Sequence, residues 1–263
     1  MPFFRRLFVT SAVVGAPTYY VYSTITRLEA KYPRLQPEAA STSAFRAPST
    51  GLYDYSGKYH TPHVDVYGGK VPAKLLQDYR DPATGHKLSP EEAWARFFLE
   101  SPVLRLEAKL LGGFTNGPGD CGEQGFHTGQ SLLNGAIEVT RPPSRPSSIW
   151  SLGLGKPEPL LVQWTLPPYL VSFCRKAATE WGYPFRFMSG GRHEWSVGAV
   201  DYDGTVEVRF GSAHDYEWID SEGKTQKTIP EWTGRLHRAY AMWLLDERIE
   251  SLKKDAASAA ADA

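Results

Sequence analysis

The chain has 263 residues, enough to bury one sizeable core. Lys plus Arg and Asp plus Glu both number 29, so there is no basic footprint and nucleic acid is excluded as a partner. Cys121 and Cys174, the only cysteines, are too few for a disulfide framework and lack zinc-site spacing. Neither a metal nor a cofactor is expected.

The first feature in the chain is an uncharged run of 20 residues, Leu7 to Thr26, preceded by Arg5 and Arg6. That is the length of one helical membrane span. Pro17, Gly15 and six Ser/Thr make it less apolar than an ordinary span and compatible with a mitochondrial-type leader. Residues 1–30 are therefore read as a single-pass anchor or targeting segment, with a plain apolar helix as the alternative. Residues 31–52, rich in Pro, Ser, Thr and Ala, read as a mobile linker. One folded domain is expected over residues 53–253, then a disordered tail over 254–263.

Within that domain, Tyr53 to Val71 reads as a strand or strand pair. His60 and His63, three apart, should then point to opposite faces. Ser89-Pro90-Glu91-Glu92 is a capping box that starts a helix, and Ser101-Pro102 starts a second. Val103, Leu106, Leu110 and Leu111 should form the packed side of the second, and Gly112-Gly113 should end it. Cys121 and His127 lie in a Gly-rich stretch, but nothing orients them as a nucleophile and base. Strands follow at Ser131–Val139 and Leu160–Leu166. A helix over Tyr169–Trp181 should bury Leu170, Phe173, Cys174, Ala177 and Trp181. Phe185–Met188 reads as another strand. Pro230–Lys253 reads as the longest helix, packed through Leu236, Tyr240, Trp243, Leu244 and Ile249, with Arg248 outside.

The stretch Met188 to Ile219 carries the strongest pattern. Two alternating runs flank Asp203-Gly204, a two-residue hairpin signal. Counting outward from that turn sets Val197 opposite Phe210 and His193 opposite His214. One apolar face then holds Trp195, Val197, Ala199, Val206, Val208 and Phe210. Paired imidazoles at the end of an apolar ribbon suit acid and base roles, with Arg192, Glu194 or Asp215 to orient them. The plainer alternative is a hydrogen-bonded pair closing the hairpin. A metal would need a third ligand, such as His237 or Asp215.

The order of a strand, the helix pair from Ser89 to Leu111, several antiparallel strands and a long helix from Pro230 resembles the helix-grip layout. That is the layout of the START and polyketide-cyclase superfamily, and the resemblance covers Tyr53 to Lys253. The helix at Tyr169–Trp181 departs from it. The resemblance implies an α+β fold with an antiparallel sheet curved around the C-terminal helix. It also implies a cavity for a hydrophobic small molecule such as a lipid, isoprenoid or polyketide. Trp195, Val197, Phe210, Tyr240 and Trp243 are the expected lining. Three functions follow: a membrane-tethered binding domain, an isomerase, cyclase or hydrolase using His193 and His214, or a membrane-anchored assembly factor with a filled core.

Overall fold

The computed structural model of this protein describes residues 18–48, 58–81, 84–111, 119–144 and 158–261. The fold is α+β. Six strands form one antiparallel sheet in the order β1-β6-β5-β4-β3-β2. They are β1 (Tyr59–Pro72), β2 (Ser131–Leu132), β3 (Ile137–Arg141), β4 (Leu160–Thr165), β5 (Gly190–Val200) and β6 (Thr205–Glu217). The described helices begin with α1 (residues 18–31), followed by the short α2 (Pro37–Ala40), α3 (Ser43–Arg46) and α4 (Ala73–Gln77). The expected pair follows as α5 (Pro90–Leu99) and α6 (Pro102–Leu111), then α7 (Pro168–Thr179) and α8 (Glu231–Ala261).

Alternation divides the sheet into two faces with different jobs. The inner face carries Val162, Trp195, Val208 and Phe210, covered by α5 over β5 and by α8 over β1 and β6. Close approach of α8 needs Gly69, where a Cβ would lie 2.5 Å from Ile249. Ser89 caps α5 by accepting from the Glu92 backbone N–H at 3.2 Å, as the sequence signal requires.

The outer face carries Val64, Val66, Leu161 and Ala213, covered by residues that composition marks as a linker. Residues 33–48 are packed instead. Phe45 is fully buried, and its ring sits where a Cβ on Gly211 would come within 2.8 Å. Leu35 N–H donates to Val66 O at 2.9 Å along the free edge of β1, which shields that edge. Composition gives little sign of this packing, because Phe45 is the one aromatic in the segment and much of the rest of the anchorage is polar.

Several local expectations change in the same way. Leu106 and Leu110 of α6 are exposed, and Ala108 takes the buried position. On α7 only Ala178 is buried, while Phe173 and Trp181 are exposed. Residues 185–188 form no strand, because Arg186 is drawn inward to donate to Glu217 O and Glu222. Leu236 and Trp243 of α8 are exposed, whereas Arg248 is buried and donates to Phe97 O at 3.3 Å. The helix runs on to Ala261 instead of fraying at Lys253. Residues 1–17, Tyr53 and Gly112-Gly113 lie outside the described residues.

Candidate ligand-binding site

The hairpin forms, with a longer loop and a different register. β5 ends at Val200 and β6 starts at Thr205, so the turn spans residues 201–204. Gly204 takes the left-handed conformation (φ +76°), but Asp203 does not. Asp203 instead accepts from Thr205 N–H at 3.0 Å and Thr205 Oγ1 at 2.7 Å. A turn with positive φ at both central residues is therefore not made. Trp195 pairs with Phe210 and Val197 with Val208. The shift is two residues, an even number, so the expected apolar face survives while its partners change. Ala199 falls in the irregular stretch between Val197 and Val200.

The same shift separates the proposed imidazole pair. His193 faces Ser212, and His214 faces Gly191 on one side and His63 on the other. A bulge between His60 and His63 puts both of these on the inner face, not on opposite ones, which brings His63 to His214. From α8, His237 reaches His214 with its Nε2 2.9 Å from that of His214. One of the two neutral rings donates and the other accepts. Ser212 Oγ stands 3.4 Å from His214 Nε2. Gly191 makes room for Trp164, whose ring would lie 2.9 Å from a Cβ there.

Arg192, Glu194 and Asp215 are not partners of these rings. They alternate with the histidines and so point to the outer face. There Arg192 and Asp215 form a fully buried bidentate pair, with Thr61 donating to Asp215 at 2.6 Å. Arg192 Nε also donates to Phe45 O at 2.9 Å. Glu194 accepts from the backbone N–H and hydroxyl of Thr42 and pairs with Arg141 at 3.4 Å. Burial raises the Glu194 pKa. These three residues hold the segment of residues 42–45 onto the sheet.

Between the inner face, α6 and α8 lies a cavity of about 470 Å3. Its apolar wall comes from Phe98, Leu104, Ala136, Trp164, Trp195, Phe210 and Leu244. Its polar groups are Asn134, Thr165, His193, Ser212, His237 and the pair in which Tyr240 donates to Glu107 at 2.6 Å. Val197 and Trp243, two expected lining residues, are outside it; Trp195, Phe210 and Tyr240 are in it. The indole N–H groups of Trp164 and Trp195 are buried without a hydrogen-bond partner among the described residues. At one rim, Leu133 and Asn134 hold left-handed backbone (φ 52° and 58°), and Asn134 ties that turn to Ala108 O of α6 at 3.1 Å. Strain of this kind persists only where packing enforces it.

Burial keeps the imidazoles neutral. It lowers the His193 pKa to about 3, with the positive field of a protonated His237 adding to the effect. Burial and then His237 push His214 well below its ordinary value. His237 is lowered by burial too. Neutral imidazoles at pH 7 offer hydrogen bonds to an uncharged ligand, and are poor bases at that depression. Cys121 is no nucleophile: burial, then Glu123, raises its thiol to about 11, and His127 is exposed with its Nδ1 3.4 Å from Thr128 O. Cys174 on α7 is half-buried, not core. Among the described residues no three His, Cys, Asp or Glu gather as metal ligands.

His237 and Trp164 were not expected at the centre of this site. The sequence offered His237 only as a possible third metal ligand, and its spacing gives no hint of a direct contact with His214. No protein-family model, curated protein or solved structure matches the chain.

Proposed function

We propose that this protein is a helix-grip domain that binds an apolar small molecule in the cavity under its sheet. The observation that carries the reading is the cavity itself. About 470 Å3 of space is enclosed by aromatic and aliphatic side chains with a few convergent polar groups, which is what small-molecule sites are made of. The strand order β1-β6-β5-β4-β3-β2 and the C-terminal helix across the sheet support the helix-grip layout. The filled-core alternative, an assembly factor, needs that space occupied by side chains.

A tether at the membrane is part of the same proposal. Tyr19, Tyr20 and Tyr22, in the C-terminal half of the uncharged run, are exposed at the start of α1, and tyrosine favours the membrane interface. From Ile25 onward α1 belongs to the body: Leu28 and Tyr32 are buried, and Tyr32 donates to Asp246 at 2.8 Å. No helix among the described residues is long and apolar enough to cross a membrane.

Fluorescence titration of the purified protein with cis-parinaric methyl ester, an uncharged apolar probe, tests the cavity. Leu104→Trp, which fills the space from α6, should weaken binding at least about tenfold while thermal unfolding stays cooperative. Equal binding by both proteins, or none by the unmodified one, would sink the proposal.

A catalytic use is the second reading, supported by His193 and His237 opening on one cavity. His193 would act as a neutral N–H donor polarising a carbonyl, not as a base. Turnover of a carbonyl-bearing ligand that vanishes in His193→Phe, with ligand affinity retained, is its signature.

A further inference from the structure

On the far side of His237 lies a second pocket of about 520 Å3, lined by His63, Asp65, His214, Arg238 and residues 225–231. His237 lines this pocket and the apolar cavity alike. The two spaces differ in chemistry. The inner one is walled mainly by aromatic and aliphatic groups, whereas the outer one sets Asp65, Lys227, Glu231 and Arg238 beside an apolar wall from Phe185, Ile229 and Pro230.

Arg238 is the informative residue. It is half-buried, and its guanidinium makes no ion pair or hydrogen bond with any described residue. Other guanidinium groups of the fold are engaged: Arg192 by Asp215, Arg186 by Glu222, Arg235 by Glu29. Three acids lie near Arg238: Asp65 and Glu29 are already held, and Glu231, which lines the same pocket, is exposed and makes no ion pair with it. Asp65 is met by Arg34 at 3.1 Å, and Glu29 by both arms of Arg235 at 2.8 Å. Lys227 is turned away, donating to Ala178 O and Tyr183 O. A guanidinium that no carboxylate of its own concave wall pairs directly leaves its donors open to an anion.

We propose that the ligand is a single-chain amphiphile whose anionic head, carboxylate or phosphate, lies in the outer pocket against Arg238 and whose apolar chain passes His237 into the inner cavity. This rests on the cavity reading above and adds the class of ligand. His237, held by His214 through a single hydrogen bond at 2.9 Å, is the residue that lines both spaces, and the chain passes beside it.

The experiment compares cis-parinaric acid with its methyl ester on the full-length protein, the Arg238→Gln protein and the Leu104→Trp protein. The acid should bind the unmodified protein about tenfold tighter than the ester, the scale of one charge-assisted hydrogen bond. Arg238→Gln should bring the acid down to the affinity of the ester and leave the ester unchanged. Leu104→Trp should weaken both. Equal binding of acid and ester, or an Arg238→Gln loss shared by both, overturns the head-group assignment while leaving the cavity reading intact. Absence of binding by either probe removes the cavity reading itself. Inorganic phosphate separates a lipid head from a free anion. If phosphate alone raises the thermal midpoint in an Arg238-dependent way, and the acid shows no advantage over the ester, the pocket takes a free anion and the amphiphile is wrong.

Discussion

At the scale of single residues, the imidazoles and the buried ion pair make opposite predictions about stability and binding. His193 is neutral in the folded state down to about pH 3, while in the unfolded chain it protonates near 6.5. Between those values the unfolded state binds more protons, so stability rises with pH and is lost on acidification below about 6.5. His214 and His237, both lowered, add in the same direction. His193→Phe, which keeps a ring stacked on Phe210, should make the acid limb shallower by up to about 1.4 kcal/mol per pH unit. Urea unfolding at a series of pH values measures this, and an unchanged slope would show that His193 titrates alike in both states. Arg192→Met strands Asp215 without its partner in a fully buried setting. It should cost about 3–5 kcal/mol of stability and leave cavity binding in the folded fraction intact, because the pair lies on the other face. Lost binding at full stability would instead return Arg192 to the functional site.

Among the elements, residues 33–48 and α8 decide how much of the chain the fold needs. Phe45→Ala empties a fully buried aromatic site over Gly211 and should cost about 3–5 kcal/mol in denaturant unfolding. A chain beginning at Tyr53 would lose Leu28, Tyr32 and Phe45 from two buried clusters, together with the Lys31–Asp246 contact at 2.5 Å. It should unfold at a clearly lower denaturant concentration than a chain beginning at Thr18. Equal midpoints would mean that the segment rides on the domain without supporting it. α7 stands apart from these elements. With one buried residue and with Tyr169 and Phe173 exposed, it adds little to the core, and none of its residues lines the cavity.

For the whole molecule, the arrangement puts a mainly apolar cavity beside a second pocket that carries charged groups, with His237 in the wall of both. If residues 1–17 provide the tether, a chain beginning at Thr18 should stay folded, keep its probe affinity and leave the membrane fraction on cell fractionation. Retention in that fraction would assign the tether to the folded body, where exposed aromatics include Tyr19 and Tyr20 on α1 and Tyr169 and Phe173 on α7.

Much of the architecture was legible in local pattern. The capping box at Ser89, the proline restart at Pro102, the alternating runs on either side of Asp203-Gly204 and the stripe in the last helix determine the α+β class and the inner face of the hairpin. These signals survive because periodicity is a property of neighbours along the chain. What the site is made of was decided elsewhere. Asp203 chose to accept from Thr205, which moved the register by two and took His193 away from His214. A bulge of one strand supplied His63 as the facing residue, and α8 supplied His237 from the other side of the cavity. The polar residues beside the histidines in sequence went to the opposite face, where an aromatic from a Ser/Ala-rich segment needed them. Sequence alternation fixes which residues share a face, but contacts across more than 20 positions, and the empty space between elements, exist only once the sheet and helices have packed.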